Sequence, residues 1–299
     1  WQEDSANYRI ERSNLNNGSE SNFSPTYYKD GIMFVSDRGK LTARNCYDWT
    51  GRPFLDLYFS KTEGGGKSAS PDKVAGEMNG KYHEGPIAIN SQGDTMYITR
   101  NNYIKKKVGK SEQDVVNLKI YQVYKKDTTW TGLKELSFNS NDFSTGHPAL
   151  TADGNTMYFA SDRPGGQGGS DLYVSHKVNG VWSDPKNLGA PVNTAGNEVF
   201  PFVWKDSALY FSSDGNYGMG GLDVFKCALN GEQIGTPVNM AYPFNTSYDD
   251  FGVAVAANGK EGYLSSNRET SNTEVDQIYK FFFEELRFTL QGVTVNKKS

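Results

Sequence analysis

Short apolar strands separated by glycine-rich turns recur along most of the chain. The clearest unit runs from Met157 to Asp162, turns through Pro164 to Gly169, and resumes at Asp171-Leu172-Tyr173. Aromatic and β-branched residues such as these suit a pleated, half-buried surface. The glycines between them adopt positive φ without steric cost, as a sharp reversal requires. The pattern therefore predicts two antiparallel strands joined by a tight turn.

The same unit occurs five times in one register. Its first strand ends at an aspartate or asparagine, at intervals of 64, 61, 52 and 53 residues: Asp37, Asn101, Asp162, Asp214 and Asn267. An aromatic residue marks the second strand, at intervals of 63, 52, 52 and 54 residues: Tyr58, Tyr121, Tyr173, Phe225 and Tyr279. A repeat of this length, made of strands and turns, is typical of propeller blades. We therefore predict an all-β fold, a five-bladed antiparallel β-propeller.

The repeats lie at about residues 23–80, 81–139, 140–193, 194–245 and 246–283. Residues 8–18 resemble the segment that ends the other repeats, and the fifth repeat lacks its own copy. We expect this N-terminal strand to complete the last blade and close the ring, which leaves no open sheet edge. The propeller then spans residues 1–283. Residues 284–299 are expected to be a linker or the start of a truncated β-sandwich domain; the alternative is a fragment of a sixth blade.

Composition narrows the classes of partner. The chain is 36% hydrophobic and 13% aromatic, and its net charge of −4 argues against nucleic acid as a partner. No run of about 18 apolar residues exists, so we expect no membrane span. Cys46 and Cys227 fall in the first and fourth repeats, which are not neighbours in a closed ring, so we expect no disulfide between them.

Signatures of catalysis are missing from the sequence. The three histidines do not show metal-ligand spacing, no G-x-S-x-G elbow occurs, and the glycine-rich stretches lack the P-loop lysine. We therefore expect no catalytic residue, no metal and no cofactor. Asp37, Asp162 and Asp214 recur at one repeat position, which favours a structural role in binding backbone amides.

Blade topology predicts which residues share a face. The loop entering the innermost strand and the loop joining the two middle strands lie on the same side of a blade. This channel-mouth face is predicted to carry His83, Glu84, His147, Glu198, Asp249 and Asp250.

Two long loops of neighbouring blades, residues 39–55 and 102–117, are predicted on that same face. Aromatic and basic loops on a rigid scaffold are typical contact surfaces. Their partner-binding candidates are Arg44, Tyr47, Trp49, Arg52, Phe54, Tyr103, Lys105, Lys106 and Lys107. The alternative is that both loops are solvated insertions without a partner.

Two enzymatic alternatives stay open on the sequence. A glycan-active propeller would use carboxylates in its funnel, and Glu84, Glu198 and Asp249 are the candidates. Glycoside hydrolysis needs carboxyl pairs at separations of roughly 5 to 9.5 Å, which the sequence does not define. The other alternative is the regulatory propeller of a peptidase.

The run from Tyr158 to Tyr173 resembles a known repeat. Together with Trp182 to Gly189 and Val192-Asn193-Thr194, it is similar to the TolB-like (WD-type) propeller repeat of OmpA-family lipoproteins of Bacteroidetes. The likeness covers residues 8–283. The motif is specific in repeats three and four and weaker in repeats one, two and five. In repeat two, Arg100 stands where the motif has a serine.

This resemblance implies a noncatalytic protein-interaction scaffold in the periplasm. It implies association with the outer membrane through segments outside this chain, and partners among the proteins of a secretion or envelope complex, with the type IX secretion system as the nearest likeness. Peptidoglycan would be bound only through a domain absent from this chain. Residues 291–296 are similar to the first strand of the small sandwich that precedes such a domain.

Overall fold

The computed structural model describes residues 8–16, 18–42, 45–63, 68–268 and 275–284, and these form strands and turns without an α-helix. Five antiparallel sheets follow one another along the chain, and a small hairpin projects from the second. The prediction of a five-bladed β-propeller is confirmed, and the described residues hold no sixth blade.

Each blade runs outward from the ring axis in chain order. Blade 1 contains β2 (Asn22–Tyr28), β3 (Gly31–Ser36), β4 (Asp56–Lys61) and β5 (Asp72–Lys73). Blade 2 contains β6 (Glu84–Ile89), β7 (Thr95–Asn101), β10 (Leu118–Lys126) and β11 (Thr129–Glu135), with the hairpin β8 (Tyr103–Ile104) and β9 (Lys107–Val108). Blade 3 contains β12 (Thr145–Leu150), β13 (Thr156–Ser161), β14 (Asp171–Val178), β15 (Val181–Trp182) and β16 (Lys186–Asn187). Blade 4 contains β17 (Glu198–Trp204), β18 (Ala208–Ser213), β19 (Asp223–Asn230), β20 (Gln233–Ile234) and β21 (Val238–Asn239). Blade 5 contains β22 (Asp250–Val255), β23 (Glu261–Ser266), β24 (Gln277–Phe283) and, as its outer strand, β1 (Tyr8–Arg12).

The ring closes through the N-terminal strand, as the sequence predicts. β1 pairs antiparallel with β24, from Tyr8 opposite Phe283 to Arg12 opposite Tyr279. The Tyr8 ring also packs edge-on against Phe244 at 5.3 Å between centroids. The linker or sandwich expectation concerns residues 284–299. Glu284 follows β24 directly, and residues 285–299 lie outside the described residues.

A recurring asparagine braces the third strand of every blade. Its amide oxygen accepts a hydrogen bond from a backbone N–H of that strand, and its amide nitrogen donates to the same residue's carbonyl. The five braces are Asn16, Asn79, Asn139, Asn193 and Asn245. Asn16 belongs to the N-terminal segment and serves blade 5 through Ile278. The seam therefore repeats the contacts of the other four blades.

The repeated aspartates and asparagines that reveal the blades bind backbone amides. Each accepts the N–H of the residue that precedes an innermost strand, as Asp37 does from Ser21 at 2.8 Å and Asp162 from Ser144 at 2.6 Å. Asn101, Asp214 and Asn267 do the same in the other blades. This confirms the structural role predicted for the position. These side chains therefore fix the start of each innermost strand to the loop that follows the second strand of the same blade.

The two cysteines are free, as expected. Cys227 is buried in the core of blade 4, and burial raises the pKa of its thiol to about 12.

Candidate interaction face

A chain of aromatic contacts joins the two long loops. Phe54 lies edge-on to Tyr82 at 5.4 Å, and Tyr82 lies edge-on to Tyr103 at 5.1 Å. Tyr47 and Phe54 both contact the ring of His83, at 4.5 and 4.8 Å between centroids. The structure therefore brings these predicted residues of blades 1 and 2 into one unit, through Tyr82 of the blade linker. We call residues 45–55, 82–83 and 102–117 the blade 1–2 lobe.

Trp49 is the most prominent side chain of the lobe, with 90% of its surface exposed. It lies in a turn closed by a hydrogen bond from the Tyr47 N–H to the Arg52 carbonyl at 2.8 Å. The Arg52 guanidinium in turn pairs with the carboxylate of Asp37, the amide-binding residue of blade 1. The loop is thus anchored at its base while the indole faces solvent. Arg44 lies outside the described residues.

Three lysines form the tip of the other loop. Lys105 and Lys106 adopt positive φ, 49° and 65°, and join β8 to β9, where Lys107 begins the second strand. All three are exposed. Positive φ at two consecutive central residues is the geometry of a type I′ hairpin turn, for which asparagine and glycine are preferred. Lysines in that turn project their ammonium groups from a narrow, ordered tip.

The predicted acidic residues begin the innermost strands but do not present open carboxylates. Glu84, Glu198 and Asp250 are at most 1% exposed. Each accepts the N–H of the residue four positions earlier in its own loop, at 2.6 to 2.9 Å. Sequence reasoning treated them as lining a channel mouth; the structure corrects this, because a buried carboxylate must find internal donors. Asp249 is partly exposed and accepts the Leu222 N–H at 2.8 Å.

The second strands supply these carboxylates with further partners. Glu84 pairs with Arg100 at 3.0 Å, and Glu198 accepts the Ser213 hydroxyl at 2.7 Å. Asp250 pairs with Arg268, which is buried as well. Arg100, the departure from the expected serine, therefore donates a hydrogen bond to the glutamate beside it. Burial nevertheless raises the pKa of Glu84 to about 8, against the lowering influence of Arg100.

Both predicted histidines are neutral ring contacts. His83 Nδ1 accepts the Leu55 N–H at 3.2 Å, and His147 Nδ1 accepts the Phe200 N–H at 3.3 Å. Burial lowers the pKa of each to about 4. His147 lies within β12 rather than in a surface loop, at a positive φ of 53°, and stacks on Phe200 at 4.0 Å. His147 thus lines the cavity at the ring axis, whereas His83 packs within the blade 1–2 lobe.

The axis of the ring holds an apolar cavity of about 220 Å³. Every innermost strand is bulged near its start, and four prolines face the cavity from these bulges: Pro25, Pro86, Pro148 and Pro201. Proline suits a bulge because no ladder hydrogen bond is lost there. Phe200 packs on His147 and on Phe251, at 4.7 Å from the latter, near the end of the axis that faces the lobe.

Sequence reasoning missed a second exposed aromatic group on this face. Tyr217 is 98% exposed in the loop joining the middle strands of blade 4, and Met219 is exposed beside it. Tyr242 and Tyr248, in the loop that enters blade 5, are exposed too. Gly220 lets the two loops meet, because a Cβ there would lie 2.0 Å from the Tyr248 carbonyl oxygen. The only signal in the sequence was the glycine-rich turn of blade 4, and that pattern predicts a hairpin but no contact with the next loop.

Within the described part of the chain, no group of three or more His, Cys, Asp or Glu side chains has the arrangement to hold a metal ion. A search of the same residues for a helix that is long and apolar enough to cross a membrane finds none.

No protein-family model and no curated protein matches the chain. Solved structures are similar in fold. A TolB protein from Agrobacterium tumefaciens is 15% identical, with a TM-score of 0.51 over 87% of this chain and 78% of that one. A thermostable family-43 glycoside hydrolase is 13% identical, with a TM-score of 0.55 over 96% and 98% of the two chains. BT0996, solved as an RGII complex, is 9% identical, with a TM-score of 0.60 over 97% and 96%. At these identities the likeness shows the fold alone, and that fold is a β-propeller similar to that of TolB proteins and of propeller hydrolases.

Proposed function

We propose that this propeller is a noncatalytic protein-interaction platform that binds its partner through the blade 1–2 lobe. The observation that carries the proposal is Trp49, 90% exposed on a loop whose base is tied to the ring. Tryptophan dominates binding energy at protein interfaces, and full exposure of one in the free protein leaves its apolar surface for a partner to cover.

The chemistry of the lobe defines the partner. An exposed indole fits an apolar pocket, and the lysine tip favours acidic groups around that pocket. Charges at the rim of an interface act mainly on the association rate and on its salt dependence. We therefore expect a partner with an acidic rim around an apolar centre, and binding that weakens as salt is raised.

The funnel carboxylates support a noncatalytic role. A glycan-active propeller would use Glu84, Glu198 and Asp249, yet Glu84 and Glu198 are buried and already accept internal hydrogen bonds. Asp249 is partly exposed and accepts the Leu222 N–H. A hydrolase needs a carboxyl group in reach of the glycosidic oxygen. The Glu84 and Glu198 side chains instead hold loop and strand together.

The compartment and the complex are proposed from the resemblance of the repeats. Their motifs resemble those of the propeller in PorE, a peptidoglycan-associated periplasmic component of the type IX secretion system. We accordingly propose a periplasmic protein that associates with the outer membrane, and with peptidoglycan, through segments outside this chain.

The proposal is tested by photocrosslinking in the native envelope. A benzophenone amino acid replaces Trp49 in one strain and Lys126 in another; Lys126 is exposed at the end of β10, on the opposite face. We expect a discrete crosslinked partner from position 49 only. Replacing Lys105, Lys106 and Lys107 together by glutamate should reduce that crosslink, while the level of folded protein stays the same. Equal crosslinking from both positions, or none from position 49, would refute the lobe as the contact.

A further inference from the structure

A groove of about 460 Å³ lies between blades 3 and 4, on the face opposite the blade 1–2 lobe. Its floor is apolar and includes Val174, Leu188, Leu229 and Ile234. Its rim is formed by the turns after the innermost strands and by the turn after β19, which the antiparallel order places on this opposite face. The groove is therefore independent of the proposed contact surface.

A tyrosine that recurs in four blades indicates what kind of group the groove could bind. Tyr97, Tyr158, Tyr210 and Tyr263 each lie four residues before the amide-binding aspartate or asparagine. In three of these blades a lysine of the chain covers the ring: Lys177 over Tyr97 at 5.5 Å, Lys226 over Tyr210 at 5.4 Å, and Lys280 over Tyr263 at 6.0 Å. A cation within about 6 Å of a tyrosine ring is attracted by its π electrons.

Tyr158 is the exception. Across the described ranges, no cation of the chain lies over its ring. The residue paired with Tyr158 on the next strand is Val174, where blades 4 and 5 have Lys226 and Lys280. Tyr97 pairs with Gln122 and is covered by Lys177 of the neighbouring blade instead. The side chain is only 4% exposed and lines the groove, and its hydroxyl makes no hydrogen bond with the described residues. The hydroxyl can therefore pair with a donor or acceptor that enters the groove.

Three carboxylates surround this unfilled position: Asp153, Asp206 and Glu232. Asp206 and Glu232 are near enough to the Tyr158 hydroxyl that their charges help to raise its pKa, after the larger effect of burial. Asp206 accepts the Ala152 N–H at 2.9 Å, so one of its oxygens stays available. The groove is also lined by Lys186 and by the ring of His176, whose Nδ1 contacts the Thr156 hydroxyl at 3.2 Å.

We propose that this groove binds an extended segment of a second protein, through an arginine or lysine flanked by aliphatic residues. The basic side chain takes the place that a lysine of the chain occupies in the other blades, over the Tyr158 ring and between Asp206 and Glu232. The flanking aliphatic residues cover the apolar floor. An arginine suits the site best, because its planar fork donates to a carboxylate and stacks on an aromatic face at once.

The probe is a tetrapeptide, acetyl-Leu-Arg-Leu-Val-amide, titrated into the ¹⁵N-labelled protein and followed by amide chemical shifts. A lysine version tests the alternative cation, and a citrulline version keeps the shape of arginine without its charge. We expect saturable binding of the charged peptides, with shifts confined to blades 3 and 4. The substitution Glu232→Gln should weaken binding by roughly fivefold, the upper range for an exposed ion pair.

Matched variants separate the site from general electrostatics. Tyr158→Phe removes the groove hydroxyl and should weaken binding, whereas Tyr210→Phe removes the equivalent hydroxyl of blade 4 and should not. Glu63→Gln removes an exposed carboxylate of blade 1 and should leave binding unchanged. Equal binding of the arginine and citrulline peptides would overturn the proposal. So would a failure of both charged peptides to saturate at about millimolar concentration, or an unchanged affinity in Glu232→Gln. Because the lobe lies on the other face, these outcomes do not depend on the proposed function.

Discussion

Asn245 is the most buried of the five asparagine braces, and its removal measures what a brace contributes. Its side chain accepts the Val224 N–H at 2.8 Å and donates to the Val224 carbonyl at 2.9 Å. It is fully buried, so water does not replace it easily. The Val224 carbonyl also accepts the Met240 N–H at 3.1 Å, so Asn245→Ala leaves one backbone donor, the Val224 N–H, unpaired inside the protein.

The expected loss follows from that one group. An unpaired buried donor costs about 1–3 kcal/mol, so the free energy of unfolding should fall by about that amount. A domain with a total stability of about 5–15 kcal/mol would lose a large share of it. Urea unfolding followed by fluorescence gives the value, and an unchanged m-value would show that the loss is in stability.

Two controls accompany the measurement. Asn230 is exposed at the end of β19, and Asn230→Ala should change stability by no more than about 0.5 kcal/mol. Asn79 makes the same brace in blade 1 but is partly exposed, so Asn79→Ala should cost less than Asn245→Ala. A loss below about 1 kcal/mol for Asn245→Ala would refute the argument that the braces hold the third strands in place.

Further predictions concern titration, backbone space and thiol reactivity. Because burial raises the pKa of Glu84 from 4.5 to about 8, the folded protein retains a proton that the unfolded chain releases. Its contribution to stability is complete below pH 4.5 and is lost as pH rises through 8. Glu84→Gln should therefore flatten the decline in unfolding free energy between about pH 6.5 and 8. Histidines titrate in the unfolded state of both proteins, so their contribution cancels from the comparison. An unchanged slope would contradict the assignment. Gly168→Ala should destabilise the protein far more than Gly165→Ala, as thermal melts of the two variants would show. A Cβ at position 168 would lie 2.2 Å from the Gly196 carbonyl oxygen. A Cβ at position 165 meets open space, so only the positive φ of that residue opposes the substitution. Iodoacetamide should label Cys46 in the native protein and Cys227 only after unfolding, since burial keeps the Cys227 thiol protonated. Mass spectrometry counts the adducts. Rapid labelling of Cys227 in the native protein would be inconsistent with its burial.

The blade count was accessible from sequence because two separate markers are fixed by the backbone. Asp37 and its counterparts recur because each must hold the amide that enters an innermost strand, whatever the neighbouring blade contains. Asn16 could have been found in the same way, as the counterpart of Asn79 in the N-terminal segment. Its contact with Ile278 is the physical reason that residues 8–18 resemble the end of a repeat.

The site was less accessible, because burial depends on contacts between blades. Nothing local to Glu84 shows that Arg100 lies beside it, since the pair forms only when the two strands align. The groove at Tyr158 is visible only by comparing the partner of each repeated tyrosine across strands, which requires the register. The lobe was predictable in part, since its length and composition mark an exposed loop, but Tyr82 as the link between its halves was not.

The pairing of β1 with β24 also decides where the polypeptide leaves the ring. Because Tyr8 lies opposite Phe283, both ends of the described propeller emerge side by side, at the outer rim of blade 5. The antiparallel order of the strands places this exit on the side away from Trp49. Any tether or domain joined at either end would then lie on the face of the ring opposite Trp49. The Trp49 indole would therefore point away from a surface to which such a tether is attached. A force that pulls the two ends apart would act first on the Tyr8–Phe283 pair of the β1–β24 ladder. The hydrogen bonds of that ladder would then break one after another rather than all at once.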